Sequence, residues 1–278
     1  MAQILFEELS TRLFSPRLWS GFAAPTAMGP LGGTYQCPSG NPAFGFFDDF
    51  HSFQATTLEG PYQILEVASC TVEQVADTGV TATTALGQIM FDGVGDTQDD
   101  EMGIMWGRGL GAPFKFTSDI CFEARLTVSA ITGEWTWGLG LAEVGGGAAN
   151  GFIADGGAMA DANMVGFAAL TTELGVLDGM YKADGQTYQD GAVQTDLNAL
   201  ATMTASTFTK LGFRYHHHSR KLAWFVDGVE VASINKTALD AATFPDDVFM
   251  APVMTALDVD GDTAFDMYLD WWAGAQYL

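Results

Sequence analysis

The dipeptide Asp227-Gly228 constrains this chain more than any other feature. It sits between two six-residue alternating runs, Lys221-Leu222-Ala223-Trp224-Phe225-Val226 and Val229-Glu230-Val231-Ala232-Ser233-Ile234. A two-residue hairpin needs positive φ at its turn, and Asp-Gly supplies it at low cost. The pattern predicts a β-hairpin. Similar runs fill most of the chain from residue 46 onward, separated by Gly, Asp, Asn and Thr clusters, which predicts an all-β fold. Predicted strands include 62–67, 88–91, 103–106, 135–142, 164–170, 177–181, 208–215, 249–257 and 264–272. The longest is 120–128, with Phe122, Ala124, Leu126 and Val128 on one face and Glu123, Arg125 and Thr127 on the other. Helical signals are sparse: one turn around Asp240–Thr243, and a short helix or loop within 194–205.

Residues 1–45 have a different texture. They hold Pro16, Pro25, Pro30, Pro38 and Pro42, five of the nine prolines. Such density disfavours helix and central strand alike. Yet Phe14, Leu18, Trp19 and Phe22 are too apolar for a solvated linker. The expectation is an extended N-terminal arm, residues 1–45, preceding a β-sandwich domain over 46–278. Two readings of the arm stay open. It docks on a partner through Arg12, Phe14, Arg17, Leu18, Trp19 and Phe22, the reading set ahead, or it folds back on its own domain.

Charge narrows function. The chain carries 34 acidic residues against 11 Lys plus Arg, a net charge of −23. All of it lies beyond residue 45, since Glu7 and Glu8 balance Arg12 and Arg17. Such a surface repels nucleic acid and anionic membranes, so neither is an expected partner. The 48% hydrophobic content excludes a disordered acidic chain. Cys37, Cys70 and Cys121 are an odd, sparse set, expected as free thiols in a reducing compartment. The N-terminal sequence lacks the basic region of a secretory signal, and no run is long and apolar enough to span a bilayer.

The stretch from Phe208 to Trp272 resembles the final strands of concanavalin A-like, laminin-G-like jelly rolls. The likeness rests on Gly-Phe-Arg-Tyr (212–215), the Trp-Phe-Val-Asp-Gly-Val-Glu-Val hairpin (224–231), the Phe-Pro-Asp-Asp connection (244–247), and a last strand with Tyr268, Asp270 and Trp271. Phe47-Asp48-Asp49-Phe50 resembles the entry to such domains. The resemblance implies a concanavalin A-like jelly-roll β-sandwich over 46–278. In overall style the chain also resembles head decoration proteins of tailed bacteriophages. That resemblance implies a virion structural protein, assembled in the host cytoplasm. It would bind a major capsid protein or other virion protein through the arm, as a homo-oligomer, with a trimer compatible with lattice symmetry.

Catalysis is not expected. The related glucanases carry Glu-x-Asp-x-x-Glu on one strand, and this chain has no such pattern: Arg125 stands two after Glu123, and Thr136 two after Glu134. Asp266 and Asp270 share a strand face with Tyr268 between them. A glycoside hydrolase is therefore the weakest alternative, and a carbohydrate-binding, lectin-like module the stronger one, with glycan as its partner. No cofactor or metal is expected. Asp258–Asp262 departs from the EF-hand spacing, with Gly261 fourth and Leu269 twelfth. Asp92, Asp96, Asp99, Asp100 and Glu101 read as a solvated loop, though calcium is the alternative. His216-His217-His218 alternate in direction and cannot share one ion. Trp135, Trp137 and Trp224 are expected in the core. Of Trp271 and Trp272, one is expected in the core and the other at a surface or contact.

Overall fold

The turn at Asp227-Gly228 forms as its dipeptide requires, with φ of 48° and 79°. Both values are positive, the hallmark of the turn whose twist matches paired strands. Asp227 adds a further tie, accepting the Lys210 N–H through its carboxylate at 2.9 Å. This computed structural model describes residues 14–22, 31–38, 40–50, 62–66, 71–74, 88–93, 101–107, 111–133, 135–143, 153, 159–170, 175–189, 195–259 and 265–278.

Among the described residues the strands form two antiparallel sheets. The first runs β1 (Gly33–Gln36), β2 (Pro42–Asp48), β16 (Phe265–Tyr277), β7 (Ile120–Val128), β12 (Thr209–His216), β13 (Lys221–Val226) and β14 (Val229–Ile234). Beside the first half of β16 lies β5 (Ile89–Gly93), which pairs in turn with β4 (Thr71–Gln74). The second sheet runs β11 (Ala201–Thr202), β10 (Val176–Lys182), β9 (Met164–Ala169), β8 (Trp135–Glu143), β15 (Met250–Asp258), β6 (Glu101–Trp106) and β3 (Tyr62–Glu66). This is the jelly-roll sandwich that the sequence predicts.

Alternation along the strands sets the core. Phe122, Ala124, Leu126 and Val128 of β7 point inward, as predicted, and meet Trp135, Trp137, Leu139 and Leu141 of β8 in one cluster. Phe122 stacks on its cross-strand neighbour Phe213 with centroids 5.4 Å apart. Each such large apolar side chain contributes about 1.5–3 kcal/mol on burial. A buried polar relay links the two sheets. The Trp272 indole donates to the Tyr62 hydroxyl at 3.3 Å, and Tyr62 donates to Asp48. Burial first, then the Asp48 charge, pushes the Tyr62 hydroxyl well above the ordinary range, so it stays a donor.

Residues 14–22 fold back. They form a compact turn, with the Trp19 N–H on the Ser15 carbonyl at 3.1 Å and the Phe22 N–H on the Trp19 carbonyl at 2.9 Å. The turn sits on the outer face of the first sheet. Phe14, Leu18, Trp19 and Phe22 are each at most 5% exposed, packed with Cys121, Ala223, Phe225 and Trp271. Of the two readings of the arm, the structure takes the second for these four residues. Burying them on the neighbouring sheet removes them as free anchors for a partner. Arg17 is exposed, while Arg12 lies outside the described residues. Strand β2 also runs across residues 45 and 46, so the arm and the sandwich share a sheet. Pro42 is tolerated there because it opens the strand, where its missing N–H breaks no ladder bond.

Candidate functional site

A cleft of about 430 Å³ opens at the end of the sandwich where β10, β14 and the segment after β14 converge. That volume lies in the range of small-molecule sites. Tyr181 and Gln189 form part of its floor and are bonded to each other through both backbone N–H groups at 3.0 Å. Tyr181 is 1% exposed. Burial raises the Tyr181 hydroxyl above its ordinary range, against the lowering effect of a hydrogen bond with Thr243. Ile234, 6% exposed, continues the floor.

The rim is polar. On one side stands Asp196, exposed within a 3-10 turn, Thr195–Leu197. The fully buried Leu197 beside it anchors that turn in the core. The opposite side follows from local sequence. Asn235 follows β14 and caps a four-residue helix, Lys236–Leu239, its side chain accepting the Thr237 N–H at 3.0 Å. Asparagine is among the preferred residues at this position. The cap turns the chain across the cleft mouth and brings Asn235 and Thr237 to the rim. The helix falls four residues before the turn expected at Asp240–Thr243, because Asn235 and not Asp240 starts it.

Arg220 fixes this wall. Its guanidinium donates to the Tyr215 hydroxyl at 2.8 Å, the Leu239 carbonyl at 2.6 Å, and the carboxylates of Asp240 and Asp246 at 3.1 and 3.3 Å. One side chain therefore ties the end of the helix and the Phe-Pro-Asp-Asp connection to the β12–β13 turn. Lys236 pairs with Asp240 at 2.5 Å.

Of the carboxylates weighed for hydrolysis, Glu134 lies outside the described residues, and Glu123, Asp266 and Asp270 lie elsewhere, on the outer face of the first sheet. Glu123 is buried and receives hydrogen bonds from Ser15 and Trp19. Asp270 pairs with Arg125. Asp266 faces Asp92 directly across the β5–β16 ladder, and burial followed by that like charge raises its pKa. Along β8, the positions between the core-facing residues carry Thr136, Gly138, Gly140 and Ala142. Among the described residues of the cleft lining, Asp196 is the one carboxylate.

The remaining sequence candidates fall as follows. Trp135, Trp137 and Trp224 are fully buried, as expected. Trp272 is the core member of its pair, and Trp271 meets Phe14 at 5.2 Å. His216 and His217 both approach Asp119, through a ring nitrogen at 3.4 Å and a backbone N–H at 2.8 Å. Asp96, Asp99, Asp100, Asp260 and Asp262 lie outside the described residues, and no group of three or more metal-ligating side chains occurs among the described ones. The cleft itself has no contiguous signature: its walls come from residues 181–189, 196 and 233–243.

No known protein-family model and no curated protein matches the sequence. Solved structures do share the fold. A protein of unknown function from Shewanella oneidensis superposes with a TM-score of 0.56 at 14% identity, covering 85% of this chain and 87% of its own. The potassium-bound carbohydrate recognition domain of Emp46p gives 0.52 at 8% identity, covering 81% and 94%. An endo-1,3-β-glucanase from Streptomyces sioyaensis gives 0.51 at 13% identity, covering 84% and 95%. Lectin domains and glycan-cleaving enzymes thus share this chain's concanavalin A-like sandwich. At such identities the likeness concerns the fold.

Proposed function

We propose that this chain is a carbohydrate-binding, lectin-like domain whose glycan site is the cleft between Asp196 and Asn235. One observation carries the reading: a cleft of about 430 Å³ whose rim presents amide, hydroxyl and carboxylate groups. A sugar offers the matching surface. Its hydroxyls both donate and accept, as the rim requires. Asp196 accepts, the Asn235 amide group donates, and Thr237 does either. The fold shared with a carbohydrate recognition domain supports the reading.

Binding without cleavage fits this lining better than hydrolysis. Glycoside hydrolysis uses two carboxylates about 5–10 Å apart across the bond. The described lining offers Asp196 alone. The virion display reading placed its partner contact on the arm, and the apolar anchors Phe14, Leu18, Trp19 and Phe22 are seated on their own sheet.

A calorimetric and thermal-shift screen of the full chain against neutral oligosaccharides tests the proposal. Saturable binding in the micromolar to millimolar range is expected. Asn235→Ser keeps a helix cap but removes the amide donors. It is expected to weaken binding about tenfold with little change in melting temperature. A broad panel in which no sugar binds overturns the reading.

A further inference from the structure

We infer that this cleft selects uncharged or amino sugars against anionic ones, with Asp196 as the discriminating residue. The inference rests on the carbohydrate-binding reading above and assigns the class of sugar. Three observations support it.

The first is the lining. Among the described residues no Lys or Arg lines the cleft, and Asp196 stands exposed on its rim. A uronate or sialic-acid carboxylate seated there would lose water and gain no cationic partner. It would also face a like charge across a site only partly open to solvent.

The second is that the nearest cations are engaged. Lys236 adjoins Asn235, but its ammonium pairs with Asp240 at 2.5 Å. Arg220 is held by Asp240, Asp246, Tyr215 and the Leu239 carbonyl. Recruiting Arg220 to a sugar carboxylate would strip Asp246 of its partner, and recruiting Lys236 would break its pair with Asp240.

The third is the field of the whole molecule. A net charge of −23 repels anionic glycans before contact and attracts protonated amino sugars. Contact and long-range field therefore act in the same direction. The 3-10 turn and its buried neighbour Leu197 hold the Asp196 backbone at the rim.

The test compares matched ligands on the full chain: neutral gluco-oligosaccharides, the corresponding glucosamine oligomers, and the corresponding glucuronic acid oligomers. Titrations run at about 20 mM and about 300 mM salt, because screening separates the electrostatic share from shape. At low salt the expected order is amino, then neutral, then anionic, with at least about tenfold between the ends. The spread narrows at high salt. Asp196→Asn is expected to compress the spread, raising anionic affinity several-fold while neutral affinity moves about twofold or less. Equal affinity for neutral and anionic oligomers at low salt overturns the inference and leaves the glycan site standing. An unchanged spread in Asp196→Asn overturns the role of Asp196. Failure of all three ligand classes, with a wider neutral panel also silent, instead removes the carbohydrate reading itself.

Discussion

The Trp19 indole donates to the Glu123 carboxylate at 2.8 Å across 104 residues of sequence. The same carboxylate takes the Ser15 N–H at 3.1 Å and the Ser15 hydroxyl. Glu123 stands on the outer face of β7, where a lone charged side chain would ordinarily face water. Here it is 1% exposed, and the N-terminal turn supplies its partners. Arg214 completes the clamp two strand positions away, donating to the Arg17 and Leu18 carbonyls at 3.2 and 3.1 Å.

Removing the carboxylate should undo this docking. Glu123→Ala leaves two or three donors without an acceptor, and an unsatisfied buried donor costs about 1–3 kcal/mol. A net loss of about 2–3 kcal/mol is expected in urea unfolding. Glu123→Gln keeps one acceptor oxygen and should lose less. If Glu123→Ala unfolds at the wild-type midpoint, the turn contributes nothing to stability.

Gly212 tests the same contact by volume. A Cβ at this position would lie 2.4 Å from a Leu18 methyl carbon and 2.6 Å from the Phe122 carbonyl oxygen. Overpacking of this kind costs about 1–3 kcal/mol. Gly212→Ala should therefore loosen residues 14–22, and limited proteolysis should cut there faster than in the parent. Protease resistance equal to the parent's would show that the turn tolerates the extra carbon.

Much of the sandwich was legible in the chain, and the reasons for the rest are physical. Strands β7, β13 and β14 fall at their predicted bounds, since alternation and the Asp-Gly turn are local signals. The second half of β16, with Ala273-Gly274-Ala275, has weak strand preference of its own. It is a strand because β2 and β7 flank it, a tertiary effect that local propensity misses. The β1–β2 hairpin was hidden by its prolines for the same reason. The sequence placed Glu123 on the face opposite the apolar residues, and nothing in β7 announces that Ser15 and Trp19 will cover it. The cleft was the least legible part. Its rim joins Asp196 to Asn235, and the one local clue was Asn235 as a helix cap.

Acidification should stabilise the fold before it harms it. Burial raises the Glu123 pKa, and burial followed by Asp92 raises that of Asp266. A carboxyl raised in the folded state contributes stability that is fully present below its unfolded value, about 4, and is lost as pH rises through the folded value. Asp119 works in the opposite sense. Burial pushes it up, but hydrogen bonds from His216 and the His217 N–H prevail and lower it. Its contribution is present above its unfolded value and is lost as pH falls through the depressed folded one. Urea midpoints should therefore rise as pH falls from 8 towards about 4, and fall below that. Fixed high salt limits the added effect of relieving overall charge repulsion. Asp266→Asn should flatten the rise. A midpoint that declines steadily from pH 8 downward would contradict this assignment.

Arg220 gives the last test, one that links the scaffold to the cleft. Its guanidinium holds a phenol, a backbone carbonyl and two carboxylates from three segments. A lysine ammonium cannot reproduce that planar fork, so Arg220→Lys is not a conservative change here. The residue also sits at a φ of 48°, where the turn already holds it away from ordinary backbone geometry. A loss of about 1–2 kcal/mol is expected, discounted because Asp240 and Asp246 are partly exposed. The helix Lys236–Leu239 should loosen, and Asn235 and Thr237 with it. Hydrogen exchange should accelerate at Leu239 and Asp240, whose N–H groups bond to the Asn235 and Lys236 carbonyls. Sugar affinity should fall in the same variant, although Arg220 does not line the cleft. Faster exchange with unchanged affinity would separate the wall from the site and place recognition on the Asp196 side.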